Sequence, residues 1–263
     1  NALEVLFFKA KNYNSNFVFS DHKRIENLKD QRKDKYDFNE EVVFNKEKII
    51  RAMRNEYENP NTGHLGLFGC NGRLIKRSLL IEKNILFDES LKWNEDKTFA
   101  WLVLSHIEKA VYVRDKLYSF YVNPNVQTAG IVGLSSNFSL DNIKSITKHI
   151  SQSLKNKGFD QEEIIKLNQK TLIFHSIKVL ISFSIRLMLN KIEFKKGHQL
   201  RKKMIKEIIY DEDIKLAIKS YKPSKKESFL LPKAINYKSI FFLEFFCNLR
   251  AKKIIKMRRS GKV

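Results

Sequence analysis

The chain has 263 residues and a mass of 31.1 kDa, with 43% hydrophobic and 30% charged residues, which allows a sizeable core and excludes wholesale disorder. Only 9 glycines and 4 prolines punctuate it, which favours long helices over an all-β fold. Lys and Arg number 50 against 29 Asp and Glu, a net charge of +21, and 20 basic against 6 acidic residues lie between Lys195 and Val263, leaving nucleic acid, an acidic membrane surface or plain solvation as the candidates for what meets that end.

Taken in chain order, Leu3, Leu6, Phe7 and Ala10 recur at helical spacing and predict a helix over residues 2–11, ended by the polar run 12–16. Phe17 to Phe19 reads as a short buried strand, and Glu26 to Glu41 as a charged loop or hairpin. Asn45 is the expected N-cap of a helix over 46–57, because its side chain can accept from the amides of the first turn. Residues 63–72 then hold four of the nine glycines, so the backbone there must turn tightly or approach something closely. Their spacing matches neither a Walker A loop nor a dinucleotide fingerprint. A plain substrate-side loop is preferred to a phosphate cradle.

A helical pattern over 73–83 follows, and Asn94 or Asp96 caps a helix reaching about His106. Residues 110–114 and 117–122 read as two strands, the second stopped by Asn123, Pro124 and Asn125. Beyond Leu134 the pattern is almost continuous helix, over 139–157, 160–191 and 200–221, with Asp160 and Glu163 as a capping-box-like start. The expected boundary lies near Gly133, separating a mixed α/β part, 1–133, from a helical extension, 134–263.

Cys70 and Cys247 are far apart and form neither a disulfide framework nor a metal knuckle, which favours a reducing compartment. The six histidines fall at no metal-ligand spacing, and Ser20, Asp21 and His22 offer one carboxylate where a divalent cation carrying a diphosphate takes two. No metal ligand is assigned. Residues 171–189 approach the ~20 residues of a membrane span, but Lys178 and Arg186 interrupt them, so a buried helix is expected. Residues 239–259 combine clustered Phe with Arg250, Lys252, Lys253, Lys256, Arg258 and Arg259, and Glu244, Asn248, Lys252 and Lys256 mark a polar stripe. That is the composition of a helix lying on a membrane surface; its apolar run 240–247 is too short to cross one. The competing reading is a terminal helix that docks its Phe residues on the protein.

Asn94, Glu95 and Asp96 open a helix, and adjacent helical residues point about 100° apart, so only one carboxylate of the pair can face a cleft. On residues alone, capping and a favourable macrodipole contact account for them. Four segments nevertheless follow in fixed order: 71–77, 85–91, 94–96 and 117–125. Together they resemble the C-terminal half of the GT-A-fold, Rossmann-like glycosyltransferases of family 2, bacterial inverting enzymes that build lipopolysaccharide and capsule sugars.

The resemblance implies that Asp96, with Glu95 beside it, supplies the base that takes the acceptor hydroxyl proton. Arg73 stands where the family carries Lys in a segment Trp-X-Lys-Leu-X-Arg, with Asn71 in place of the aromatic. Both are implied to bind substrate, Arg73 through a hydroxyl, carboxylate or phosphate; the competing reading for Arg73, Lys76 and Arg77 is the solvated face of a short helix. Tyr118, Tyr121, Asn123 and Asn125 resemble the family's Tyr-Tyr-X-X-X-Pro-X-Ser-X-Thr ending, with Val126 at the usual Ser and Thr128 retained, which implies that Tyr121 binds substrate; the same alternation is that of any half-buried strand, the reading preferred for Tyr118. Trp93 either stacks on an acceptor sugar or fills the core.

The implied reaction moves a sugar from a nucleotide-sugar donor, a UDP-sugar, to a lipid-linked or growing glycan acceptor with inversion. Magnesium or manganese would be held by ligands upstream of Asn1, in a nucleotide-binding half that precedes the residues in hand. The implied location is cytoplasmic, peripheral on the anionic inner face of the membrane. No ribonucleoprotein signature or zinc finger is present, and no nucleic-acid partner is expected. The alternative function is a noncatalytic basic protein that binds a membrane surface or nucleic acid.

Overall fold

The computed structural model of the chain describes residues 1–26, 40–58, 67–91, 94–122, 140–189, 193–223 and 227–259. Helix α1 (Ala2–Asn12) is capped by Asn1, whose side chain accepts from the Leu3 amide at 3.2 Å. It is followed by β1 (Phe17–Glu26), β2 (Val42–Asn45), α2 (Lys46–Glu58), β3 (Arg73–Ile75), α3 (Arg77–Glu82), α4 (Glu95–His106) and β4 (Lys109–Val122). The later elements are all helices: α5 (Leu140–Asn156), α6 (Gln161–Met188), α7 (Phe194–Tyr210), α8 (Glu212–Ser220), α9 (Leu230–Asn236) and α10 (Ile240–Arg259). By internal contacts the chain divides into two units, residues 1–130 with 148–164 and residues 131–147 with 165–263. The boundary expected near Gly133 lies outside the described residues.

The first unit carries a mixed four-stranded sheet in the order β2-β4-β1-β3, with β1 parallel to β4 and antiparallel pairs at both edges. Alternation along β1 sorts its side chains to two faces. Val18 faces α1 and packs with Leu6, Val111 and Val113, while Phe19 faces the other side, its ring 5.4 Å from Tyr112 and 5.7 Å from Phe44. The inner face of α1 is Val5, Leu6, Ala10 and Tyr13; Leu3 and Phe7, which the spacing grouped with Leu6, point to solvent. Two expected strands in 109–122 are one. β1 runs from Ser20 to His22 while β4 advances from Val113 to Tyr118, so the extra residues are absorbed as an irregularity that lets the strand continue.

The helical pattern over 73–83 is divided in the structure. Arg73 to Ile75 pair with Phe19 to Phe17 as an edge strand, and helix begins only at Arg77. The predicted caps at Asn45 and Asp160 are present: Asn45 Oδ1 accepts from the Lys48 amide at 2.9 Å and Asp160 Oδ1 from the Glu163 amide at 2.8 Å.

In the second unit, the helix expected over 200–221 breaks at Asp211, whose side chain accepts from the Ile214 amide at 3.1 Å and starts α8. Lys144 reaches Asp211 at 2.6 Å and Asp213 at 2.7 Å. Helix α6 is long and apolar enough to cross a membrane by length and composition, yet 72% of its apolar window is buried within the protein, as its interrupting charges predicted. Arg201 of α7 is almost wholly buried; it donates to Asn248 at 2.7 Å and Ser184 at 3.3 Å and pairs with Glu244 at 3.3 Å. The polar stripe read along α10 therefore divides. Four-residue steps advance about 40° around a helix, so Glu244 and Asn248 turn inward to Arg201 while Lys252 and Lys256 emerge at the surface.

Candidate functional site

The N-terminal turn of α4 and the turn before β3 are held together by a short set of contacts in the first unit. Phe68 stacks on Trp101 of α4 at 4.9 Å, fixing the chain just before Gly69. Phe87 stacks on Phe99 at 4.1 Å with planes only 1° apart, fixing the segment that leads into α4. Lys97 donates to the buried Glu56 of α2 at 2.8 Å, which orients the first turn of α4. On this frame the Cys70 thiol donates to the main-chain carbonyl of Asp96 at 3.1 Å. Burial, followed by the nearby Asp96 charge, pushes the Cys70 thiol up to about 11, so it stays protonated and able to donate at neutral pH.

Asp96 lies inside the first helical turn, exposed, and its Oδ1 accepts from the Lys97 amide at 2.7 Å. No other hydrogen bond holds its carboxylate among the described residues. Glu95 is exposed beside it, and its carbonyl accepts from the Thr98 hydroxyl at 2.9 Å. The expected side-chain cap by Asn94 is not formed. Asn94 takes a left-handed backbone, φ 58°, and its Nδ2 is buried with no hydrogen-bond partner among the described residues. The helix start is instead favoured by Glu95 and Asp96 near the positive end of the dipole.

Arg73 sits at the base of the adjoining turn. Its Nε donates to the Gly69 carbonyl at 3.1 Å, its Nη1 donates to the Ser20 carbonyl at 3.1 Å and the Gly72 carbonyl at 3.3 Å, and the guanidinium lies 5.1 Å from the centre of the Phe19 ring. The planar fork thus ties the 69–72 turn to β1. Asn71 stands exposed at the tip of that turn. The structure brings Asn71, Arg73, Glu95 and Asp96 into one neighbourhood through Cys70. Trp93 and the Tyr121 side chain lie outside the described residues; the Tyr121 backbone pairs with Ile25 in the sheet.

Two features were missed by sequence reasoning. The cysteine count speaks only to disulfides and metals, and nothing in the local pattern ties Cys70 to the carbonyl of Asp96. Asp21, buried where β1 bends, accepts from the Tyr112 hydroxyl at 2.7 Å, a pairing across strands that no local pattern announces. The described residues gather no group of three His, Cys, Asp or Glu side chains able to hold a metal ion. Among the described residues no such group is present to hold the magnesium or manganese that the resemblance implies.

A parallel strand pair flanked by antiparallel edges, with helices before, between and after, defines an α/β fold. Two crystal structures of S. aureus TarS residues 1–349, one in complex with UDP-GlcNAc and one in complex with UDP, share that fold with the chain at a TM-score of 0.52 and 14% sequence identity in each case. The similarity covers 99% of this chain but only 64% and 63% of the two TarS chains. No family model and no curated protein matches the sequence.

Proposed function

We propose that the chain is the acceptor-side part of a GT-A glycosyltransferase that uses a nucleotide-sugar donor. The observation that carries this reading is the likeness in fold, over nearly the whole chain, to a protein solved with UDP-GlcNAc. The contact of Cys70 with Asp96, which sets the 69–72 turn beside the start of α4, supports it. In the proposed reaction the acceptor oxygen attacks the anomeric carbon of the donor while its proton passes to the Asp96 carboxylate. The bond from that carbon to the diphosphate breaks, and the nucleoside diphosphate leaves with the electron pair.

Asp96 is exposed and has one oxygen already oriented by the Lys97 amide, leaving the other edge of the carboxylate for the hydroxyl. The attacking hydroxyl becomes acidic only as the new bond forms, so a carboxylate suffices to take its proton. Glu95 serves as its neighbour in the same turn. Arg73 acts here as a positioning residue whose bonds to Gly69, Gly72 and Ser20 hold Asn71 toward the acceptor. Trp93 and Tyr121 are proposed to complete the acceptor side.

The complete protein, incubated with a panel of nucleotide sugars and glycolipid or glycan acceptors, should release nucleoside diphosphate and form a glycoside of inverted anomeric configuration, read by NMR of the product. A UDP-sugar is the expected donor. Neither diphosphate release nor glycoside formation with any member of the panel would contradict the proposal.

A further inference from the structure

Helix α10 presents two unlike faces within the second unit. Leu243, Cys247 and Ala251, four residues apart, are buried, and Glu244 and Asn248 beside them engage Arg201. At about 100° per residue, Phe241, Phe242, Phe245, Leu249, Lys252, Lys253 and Lys256 share one arc of the helix about 120° wide. Every one of these seven is exposed, the apolar four by 47–71%. Phe241 stacks against Phe245 at 6.4 Å and Phe242 against Phe246 at 6.0 Å. Tyr237, in the turn just before the helix, is exposed as well.

A terminal helix that docked its aromatic residues on the protein would bury them; this one docks through Leu243, Cys247 and Ala251 instead. Clustered apolar side chains left outside mark an interaction surface. The lysines on the same arc, within a segment from Lys195 to Val263 that carries 20 basic and 6 acidic residues, select an anionic occupant. A protein groove deep enough for four apolar side chains would have to desolvate or pair those ammonium groups. A bilayer accepts both kinds of group at once, with rings at the acyl boundary and lysines reaching the head groups. Phe241 and Lys256 are about 22 Å apart along the axis, so the aromatic end can dip while the basic end stays at head-group level.

We infer that this arc of α10 docks the chain on an anionic lipid bilayer, independently of the chemistry at Asp96. The complete protein is sedimented with vesicles of phosphatidylcholine alone or mixed with phosphatidylglycerol. It should pellet with the mixed vesicles and be released by added salt. Each basic residue near such a surface strengthens binding about fivefold, so replacing Lys252, Lys253 and Lys256 together by Ser should weaken it on the order of a hundredfold. The pair Phe241→Ser and Phe245→Ser should also release the protein while leaving its melting unchanged, since both side chains are exposed. Parent protein staying in the supernatant with the mixed vesicles would overturn the inference, as would a Phe variant that still pellets like the parent. A Phe variant that turns a dimer into a monomer, without any vesicle binding by the parent, would reassign the face to a contact between copies.

Discussion

Gly72 holds a left-handed backbone, φ 66°, with its carbonyl receiving the Ser20 amide at 3.1 Å, and a Cβ there would meet Ser20 Oγ at 3.0 Å and Tyr118 Cβ at 3.3 Å. Gly72→Ala should therefore lose about 1–3 kcal/mol of stability from backbone strain and crowding, measured by urea unfolding; an unchanged midpoint would show that the turn can relax. Asp88 gives a second test at this scale. Its carboxylate accepts from the Ser90 hydroxyl at 2.6 Å and amide at 2.8 Å and lies 2.6 Å from His149, and these contacts, the Ser90 hydroxyl foremost, hold its pKa below the ordinary value. A lowered folded pKa gives stability that is full above the unfolded value of about 3.9 and is lost as pH falls through the folded value. Asp88→Asn should melt below the parent above pH ~5, with the gap closing as acid protonates the parent's carboxylate. A gap that persists unchanged into acid would contradict the linkage.

Helices were readable as elements because their period is local: Asn45 and Asp160 announce starts that the structure bears out with side-chain bonds. Strands were readable where β-forming residues cluster, at 17–19, 110–114 and 117–122, but the four-residue β2 was not. Phe17 to Phe19 and Ala110 to Val113 showed themselves, whereas Asp21, His22 and Lys23 continue β1 with polar side chains and owe their strand state to β4. The three-residue β3 has no pattern of its own and exists because the edge of β1 is available to Arg73, Leu74 and Ile75. Within the site, the order of the segments was legible, but the Cys70 to Asp96 contact spans 26 positions and no periodicity encodes it. The same limit hid the inward turn of Glu244. Arg201 on α7 is matched there by Glu244, Asn248 and Ser184, so Arg201→Met should cost about 3–5 kcal/mol by leaving Glu244 without its cation in a buried place. Chemical denaturation measures this, and a loss under about 1 kcal/mol would place the pair among weak surface bridges.

At the scale of the molecule, a net charge of +21 does not name a reaction, and the transfer reaction is a proposal that rests on a fold shared with TarS and on a carboxylate at the start of α4. The direct measurement is turnover by the complete protein carrying Asp96→Asn, compared with Glu95→Gln and the parent at saturating nucleotide sugar, with thermal melting recorded for all three. Asparagine keeps the size of the side chain and its bond from the Lys97 amide but cannot take a proton. If Asp96 is the base, kcat should fall about 10²–10⁴-fold, equivalent to roughly 3–5 kcal/mol of transition-state stabilisation, with melting and donor affinity held and Glu95→Gln affected less. A folded Asp96→Asn protein that turns over within about threefold of the parent, far short of that loss, would contradict the assignment and leave Asp96 as a residue that only favours the helix start.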